Sequence, residues 1–276
     1  MNRVFELFGQ TANVCDLENN CKLLPFAGRL KKLKITPKVG DIVEVENDLI
    51  TDIKPRKNEL IRPKVANIDQ VLVFLSVKEP DFSSFLLDKY LAIVESKNID
   101  LMIFLTKSDL DLELANHWKQ KYEMQNYKVF LLSSNDNNCD EIKKLFDKKF
   151  SIVMGQSGVG KTTFINNISN NNYKTQQISK SLLRGKHTTT SAKIISFLNG
   201  FLIDSPGFSS LDVEKEINLN KSYLNFKELA KLCEFKDCMH NFEKNCNVKL
   251  NLNSNLVPEF RYKNYLKLLK EQNERK

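Results

Sequence analysis

The sequence predicts a multidomain α/β protein, and three observations support this fold class. Residues 1–62 carry short β-type runs separated by turn residues, which suit a small β-barrel. From Val65 onward, predicted strands alternate with predicted helices, a pattern typical of a parallel α/β sheet. Residues 222–276 have mainly helical periodicity and contain a cluster of cysteines. We therefore expect an N-terminal OB-type barrel at 1–64, an α/β domain at 65–215 and a helical metal-binding domain at 216–276.

Composition and hydropathy indicate globular domains and argue against a membrane protein. Of the 276 residues, 41% are hydrophobic and 28% are charged, which are ordinary values for globular domains. No run approaches the roughly 18 consecutive apolar residues that span a bilayer. The first residues also lack the basic and then apolar pattern of a signal peptide. We therefore expect a cytoplasmic protein with no membrane partner.

The six cysteines are too few for a disulfide scaffold in a chain of this length. In a reducing compartment, clustered cysteines instead indicate a metal site. Cys15, Cys21 and Cys139 lie outside this cluster, so we expect them to be ordinary packed thiols.

Net charge is unevenly distributed along the chain, which carries +8 overall. Residues 1–66 hold 12 Lys and Arg against 9 Asp and Glu, and residues 221–276 hold 12 against 7. Residues 67–220 hold 18 of each and are neutral. Basic segments on both sides of a neutral middle favour contact with a polyanion such as RNA. Solvated surface lysines in a lysine-rich protein are the alternative explanation.

The N-terminal barrel is predicted from about five strands within some sixty residues. Their runs lie at 3–8, 13–17, 21–29, 41–46 and 49–55. Lys31, Lys32, Lys34 and Lys38 would then lie on one loop. An OB-type barrel fits this pattern, although SH3-like barrels give a similar one.

The α/β region follows from continuous apolar runs alternating with runs of helical spacing. Predicted strands lie at 71–77, 101–105, 129–132, 150–154, 193–198 and 201–203, and predicted helices at 84–96, 112–124 and 140–148, with another opening at 163–168. Four candidate motifs each follow one of these strands. Because open α/β sheets bind ligands at the carboxyl ends of their strands, we expect these motifs to form one site.

The first motif is a phosphate-binding loop of the form G-x-x-x-x-G-K-[ST]. It is formed by Gly155, Gln156, Ser157, Gly158, Val159, Gly160, Lys161 and Thr162, with Thr163 next in the helix. Its glycines let consecutive backbone N–H groups point at phosphates beside a helix N-terminus. Lys161 would reach the β and γ phosphates, and the Thr162 hydroxyl would ligate Mg²⁺. The motif therefore predicts binding of a nucleoside triphosphate.

Two further motifs complete the predicted nucleotide site. In Asp204-Ser205-Pro206-Gly207, of the form D-x-x-G, Asp204 would hold the Mg²⁺ shell and the Gly207 N–H would approach the γ-phosphate. The base motif Thr106-Lys107-Ser108-Asp109 has the form [NT]-K-x-D. Its carboxylate can accept two hydrogen bonds from guanine, a donor pair that adenine lacks, so GTP is favoured over ATP.

Two loops are expected to close around this site. Ser133 and Ser134 follow strand 129–132 and would support the base through backbone N–H groups, unless they are only a polar loop. A polar stretch at 170–180 precedes the run 184–190, which we predict to be a switch loop. Thr188 or Thr189 would close on Mg²⁺ and the γ-phosphate and open after hydrolysis.

Metal binding is predicted from Cys233-x₄-Cys238-x-His240-x₅-Cys246. This spacing suits a closed, structural Cys₃His zinc site, whereas unrelated buried thiols are the alternative. The final helix is predicted to start at Pro258 and to turn Tyr262, Tyr265, Leu266 and Leu269 toward the protein. Its opposite face carries Lys263, Lys267 and Lys270, available to phosphate or simply solvated.

Together these motifs resemble the circularly permuted GTPases of the RsgA family, also called YjeQ. In most GTPases the guanine motifs come last, whereas here Thr106–Asp109 and Ser133–Ser134 precede the phosphate-binding loop. The departures are Lys186, where arginine is frequent, and Thr106 in place of asparagine. The resemblance covers nearly the whole chain and implies an OB barrel, a circularly permuted P-loop GTPase domain and a C-terminal helical zinc-binding domain.

The resemblance also implies a function. The family assists late maturation of the small (30S) ribosomal subunit, so we expect GTP hydrolysis with Mg²⁺, one structural Zn²⁺, binding to rRNA and stimulation by the subunit. We expect the protein to be a monomer. Phe208 stands where many GTPases have the glutamine that orients the attacking water. His187 is the nearest candidate to replace that glutamine, although it is as readily a plain loop histidine.

Two rival functions remain open at this point. A kinase or ATPase could use the same phosphate-binding loop, but Asp109 argues against adenine. A non-catalytic RNA-binding assembly factor could retain a vestigial nucleotide site.

Overall fold

The structure is a computed structural model that describes residues 1–33, 35–133, 140–169, 192–204, 217, 219 and 222–274. The strands are β1 (Asn2–Phe8), β2 (Thr11–Cys15), β3 (Cys21–Pro25), β4 (Ile42–Glu46), β5 (Leu49–Ile53), β6 (Glu59–Leu60), β7 (Val65–Ala66), β8 (Gln70–Ser76), β9 (Asp100–Thr106), β10 (Val129–Leu132), β11 (Phe150–Met154), β12 (Lys193–Phe197) and β13 (Gly200–Asp204). The helices are α1 (Gly28–Lys32), α2 (Ser84–Ser96), α3 (Leu112–Glu123), α4 (Asp140–Lys144), α5 (Lys161–Ile168), α6 (Leu224–Ala230), α7 (Asn247–Leu250) and α8 (Glu259–Asn273), with a 3₁₀ turn at Ser108–Leu110.

Backbone contacts divide the chain into two compact units. The first unit comprises Met1–Gln70, Asn137–Val153 and Lys161–Phe208. The second unit comprises Val71–Asp136, Met154–Gly160 and Ser209–Lys276. The proposed domain boundaries at 64/65 and 215/216 stay a prediction. Of the helices that the structure describes, none combines the length and hydrophobicity of a bilayer-spanning segment.

The amino-terminal part of the first unit is a five-stranded barrel. Strand β1 pairs antiparallel with both β2 and β4, β2 continues to β3, and β4 pairs with β5. A bridge between Phe26 and Ile50 joins the chain after β3 to β5. Alternate residues of these strands face one core, as a half-buried strand requires. The buried strand residues are Val4, Ala12, Val14, Leu24, Val43 and Ile50, and Leu30 of α1 packs with them.

Two predictions about the barrel were wrong. The third strand ends at Pro25 rather than at residue 29, because proline has no N–H to donate to a sheet and helix α1 follows. Lys31 and Lys32 therefore lie in α1 instead of on a loop. Lys38 contacts Glu59 at 3.0 Å and has only 12% of its side chain exposed, so it does not extend freely into solvent. Lys34 lies outside the described residues.

Cys15 and Cys21 form a disulfide, so the prediction that they are separate packed thiols was wrong. The β2–β3 hairpin pairs these two residues directly, with their Cα atoms 4.1 Å apart. The turn between them is fixed by Asp16, whose Oδ1 accepts hydrogen bonds from the backbone N–H groups of Glu18 and Asn20. Such pairing across a hairpin is a contact that sequence spacing alone does not specify. Cys139 lies outside the described residues.

The rest of the first unit extends the sheet beyond the barrel. Strand β11 is parallel to β13, β13 pairs antiparallel with β12, and β12 pairs antiparallel with β1 of the barrel. Phe150 of β11 stacks on Phe201 of β13 with ring centroids 4.4 Å apart. The Arg3 guanidinium lies 3.5 Å from the Phe150 ring centroid. This packing fixes the position of β11, the strand that leads into the phosphate-binding loop.

The second unit contains a parallel sheet and the carboxyl-terminal helices. Strands β8, β9 and β10 are neighbours, and β9 and β10 run parallel. Helix α2 begins after Ser83, whose side chain accepts a hydrogen bond from the Leu86 N–H. Helix α8 has its buried face at Arg261, Asn264, Tyr265, Leu268 and Leu269. Tyr265 and Leu269 match the predicted face, whereas Tyr262 and Leu266 are only half-buried.

Candidate functional site

The phosphate-binding loop joins the end of β11 to the start of α5. Gly155, Gly158 and Gly160 have φ angles of 150°, 80° and 86°, a backbone region that favours glycine. A Cβ atom at Gly155 would lie 2.3 Å from the carbonyl oxygen of Phe74. The loop can therefore adopt this conformation only with glycine at that position. Val159 is buried, while Gln156 and Ser157 are more exposed.

Helix α5 starts at Lys161 and places Thr162 and Thr163 in its first turn. A helix N-terminus offers unpaired N–H groups and a partial positive charge to a phosphate. Burial lowers the pKa of the Lys161 ammonium to about 8. A bound phosphate would oppose that shift because a nearby anion stabilises the charged form of lysine.

The base motif follows strand β9 and contacts the phosphate-binding loop directly. The buried Thr106 hydroxyl lies 2.6 Å from the carbonyl oxygen of Val159 and 3.2 Å from that of Leu75. Within the second unit, this side chain joins the predicted base-binding and phosphate-binding segments. The sequence identifies Thr106 as the first residue of the base motif, and the structure adds its contact with Val159.

The other members of the base motif differ in exposure. Lys107 adopts the left-handed conformation with φ of 54°, and its Nζ donates to the carbonyl oxygen of Glu79. Ser108 is buried and Asp109 is exposed in the 3₁₀ turn. The backbone therefore presents the Asp109 side chain at the surface directly after the strand end.

The remaining predicted nucleotide-site residues are only partly described. Asp204 is buried and is the last residue of β13, and Ser133 directly follows β10. Both occupy the strand-end positions that the sequence predicts for them. The other five lie outside the described residues: Ser134, His187, Thr188, Thr189 and Gly207.

Cys233, Cys238, His240 and Cys246 form a compact cluster in the second unit. Their ligand atoms all lie within 4.8 Å of one another. The Cys233 and Cys246 sulfurs are 3.9 Å apart, and the His240 Nδ1 lies 3.3 Å from the Cys246 sulfur. Ligands of a tetrahedral zinc site lie about 3.3–3.8 Å from one another. The Cys₃His donor set therefore fits zinc, and the pairs at 3.3, 3.8 and 3.9 Å lie in or close to this range.

Surrounding residues hold this cluster in place. The Tyr262 hydroxyl donates to the backbone carbonyl of His240 at 2.8 Å, and the Tyr265 hydroxyl donates to that of Met239 at 2.9 Å. Both tyrosines belong to α8, so this helix orients the ligand loop. Burial raises the pKa of the Cys238 thiol to about 12, and a bound cation would oppose that shift because it stabilises the thiolate.

A buried polar network around Arg261 was missed by sequence reasoning. The guanidinium of Arg261 lies 3.1 Å from Asp88 in α2, and its Nη1 donates to the Tyr127 hydroxyl at 2.9 Å. It also lies 4.7 Å from the Tyr223 ring centroid, and the Tyr223 N–H donates to Glu95 at 2.5 Å. The sequence did offer one indication of this burial. Arg261 lies four residues before Tyr265, which places both on the same face of α8.

Comparisons with known proteins agree with these features. The model of a family described as "RsgA GTPase" matches residues 53–214. A Mycoplasmopsis agalactiae protein named "Small ribosomal subunit biogenesis GTPase RsgA" is 47% identical, over 99% of each chain. The crystal structure of YloQ, described as a circularly permuted GTPase, superposes with a TM-score of 0.78 at 32% identity, covering 100% of this chain and 95% of that one. YjeQ from Thermotoga maritima gives a TM-score of 0.80 at 28% identity, covering 98% and 97%. These structures confirm the predicted multidomain α/β fold class.

Proposed function

The chain belongs to the RsgA GTPase family, and from that premise we propose that it hydrolyses GTP to GDP and phosphate in the biogenesis of the small ribosomal subunit. The observation that carries this proposal is the contact of the Thr106 hydroxyl with the Val159 carbonyl at 2.6 Å. This contact holds the guanine-type motif beside the phosphate-binding loop. The two segments can therefore bind the base and the phosphates of the same guanine nucleotide.

Base recognition is assigned to the segment Thr106–Asp109. The exposed Asp109 carboxylate accepts the N1 and amino hydrogens of guanine, and the Lys107 stem packs against the base. The bond from Lys107 to the Glu79 carbonyl supports this role because it fixes the direction of that side chain. Ser108 supports the turn, and Ser133 and Ser134 support the base through backbone N–H groups.

Phosphate binding is assigned to Gly155–Thr163. The backbone N–H groups from Gly155 to Gly160 surround the phosphates, and Lys161 neutralises the charge of the β and γ phosphates. Thr162 and Asp204 would hold Mg²⁺, which supplies charge neutralisation of the triphosphate when bound. Thr188 or Thr189, and Gly207, would close on the γ-phosphate, and His187 would position the attacking water.

The Cys₃His cluster is proposed to hold one structural Zn²⁺ with no open position. Cys233, Cys238, His240 and Cys246 supply all four ligands, so this metal takes no part in hydrolysis. Its role is to stabilise the segment before α8, because the free energy of metal binding contributes to the folding of that segment.

The partner is proposed to be the small ribosomal subunit, contacted through its rRNA. The basic excess in residues 1–66 and 221–276 supports this assignment because lysine and arginine bind phosphate backbones. We propose a cytoplasmic monomer with a barrel domain at 1–64, the GTPase domain at 65–215 and a zinc-binding domain at 216–276.

Cosedimentation with separated ribosomal subunits tests this function. The full chain should pellet with small subunits in the presence of a non-hydrolysable GTP analogue and should be released with GDP. Large subunits serve as the control. Equal binding to both subunits, or binding that ignores the nucleotide, would contradict the proposal.

A further inference from the structure

A cleft in the second unit shares no lining residue with the two sites described above. It is formed by the second half of α3, the segment before α8 and the first turn of α8, and has a volume of about 420 Å³. Six of its lining residues carry the argument: His117, Trp118, Lys121, Gln125, Asn255 and Phe260. We call it the α3–α8 cleft.

One wall of the α3–α8 cleft is aromatic. Trp118, the single tryptophan of the chain, is half-buried and lies against Phe82 with ring centroids 4.6 Å apart. The His117 and Phe260 rings meet it edge-on, at interplanar angles of 85° and 78°. These contacts fix the indole in one orientation while part of its surface stays accessible. A fixed, partly exposed indole is a platform on which a planar ligand can stack.

The opposite wall is polar and preorganised. The buried Gln125 amide donates to the Asn255 carbonyl, and its oxygen accepts from the Asn225 side chain at 2.9 Å. The segment before α8 is thereby held at the cleft. Within the described part of the chain, neither the Asn255 side-chain amide nor the Lys121 ammonium has a hydrogen-bond or ion-pair partner. Both groups are exposed at the rim.

We propose that the α3–α8 cleft binds one unstacked base of single-stranded RNA. Stacking on aromatic rings, a lysine for the backbone phosphate and an amide for the base edge are the means by which proteins bind single-stranded RNA. The cleft volume falls within the range of about 300–1,000 Å³ usual for ligand pockets, which is sufficient for a base and its ribose. The inference rests on the proposed function, since ribosomal RNA is the source of the strand.

A peptide is a poorer fit than a base. An apolar peptide anchor would make no use of the Asn255 amide or the Lys121 charge, whereas a nucleotide offers a base edge to the first and a phosphate to the second. GTP is already assigned to the Thr106–Asp109 and Gly155–Thr163 segments. The test is therefore run with saturating GDP, so that the nucleotide site cannot contribute to the signal.

The single tryptophan makes the test direct. Oligouridylate and oligoadenylate of about eight nucleotides are titrated into the full chain while Trp118 fluorescence is recorded. An abasic strand of the same length carries the same phosphate charge without bases. We expect saturable quenching by the two RNAs and little by the abasic strand. Equal quenching by the abasic strand, or no quenching by any RNA, overturns the proposal.

Variants locate the interaction without disturbing the core. Lys121→Ala should weaken binding of the oligonucleotides about three- to tenfold, since one phosphate contact is lost. Lys119→Ala is the matched control, because Lys119 lies on the same helix but pairs with Glu123 at 3.8 Å. Equal weakening by both variants overturns the proposal.

GTP turnover of the wild-type chain with small subunits is measured in parallel. If the subunits stimulate turnover but RNA does not quench Trp118, the cleft assignment alone is rejected. If the subunits do not stimulate turnover, the proposed function is rejected.

Discussion

Arg261 of α8 and Asp88 of α2 form an ion pair of 3.1 Å in which 1% and 0% of the respective side chains are exposed. Asp88 also accepts a hydrogen bond from Asn264 at 2.7 Å. Burial raises the pKa of the Asp88 carboxyl, and the charge of Arg261 opposes that shift. The pair therefore joins the carboxyl-terminal helix α8 to α2 of the second unit, and the charge of Arg261 also acts on the buried Glu95.

Removing one member of this pair should be strongly destabilising. Arg261→Met leaves the Asp88 carboxyl buried without its cation, and we expect a loss of about 3–5 kcal/mol in the free energy of unfolding. Denaturation in urea, followed by Trp118 fluorescence, measures this loss for the second unit. Lys263→Met is the control, because Lys263 is 70% exposed and pairs with the exposed Glu259, so about 1 kcal/mol or less is expected. Similar losses for both variants would show that the buried pair has no special role.

Nucleotide affinity should depend on pH through Lys161. Its pKa is lowered to about 8 in the free protein and should rise when phosphates bind. Binding then favours the protonated form, so affinity is greatest below about pH 8 and falls above it, by up to about tenfold per pH unit. Calorimetry of GDP binding between about pH 7 and 9 measures this dependence and the accompanying proton uptake.

Lys161→Arg supplies the control for that experiment. A guanidinium keeps its charge over this range, so the remaining pH dependence reports titration of the nucleotide itself. Wild-type affinity that parallels this variant at every pH would exclude Lys161 as the titrating group.

Base specificity should change with Asp109. Asp109→Asn should weaken GTP binding about ten- to hundredfold, because hydrogen bonds to a charged acceptor are lost, and should favour xanthosine triphosphate. Competition against a fluorescent GDP measures both preferences. Asp111→Asn is the matched control, since Asp111 caps α3 by accepting from the Leu114 N–H and asparagine caps equally well. A variant at Asp109 with unchanged GTP preference would refute the base assignment.

The metal prediction rests on the spacing of four ligand atoms. We expect about one zinc per chain, and Cys246→Ser should release it because a buried ligand of a closed site is lost. Elemental analysis of freshly purified protein measures the metal, and circular dichroism follows the carboxyl-terminal helices. Cys21→Ser is the control, because Cys21 lies in the barrel disulfide and should leave zinc content unchanged. Wild-type protein without metal would refute the site.

Local signals in the sequence were sufficient for much of the fold. Strand β10, helix α2 and strand β11 have the predicted bounds, because apolar runs and helical spacing define such elements within a few residues. The strand-end positions of Thr106 and Asp204 were predicted for the same reason. The family resemblance added the order of motifs and the domain types.

Contacts between distant parts of the chain were not predictable in this way. The Thr106–Val159 contact, the Cys15–Cys21 disulfide and the Arg261–Asp88 pair each depend on how elements meet, which periodicity does not specify. Helix α1 was missed because the β-type run continues past Pro25, and only the lost N–H donor ends the strand. The α3–α8 cleft likewise combines residues from separate segments.

GTP turnover by the full chain, with and without purified small ribosomal subunits, tests the central claim most directly. Slow turnover is expected without the subunit, because positioning and electrostatic preorganisation carry phosphoryl transfer and Phe208 cannot orient water. Small subunits should raise the rate, and the stimulation should fall steeply with salt as lysine and arginine contacts to RNA weaken, while basal turnover changes little. Equal stimulation by large subunits, or stimulation that is indifferent to salt, would contradict the account.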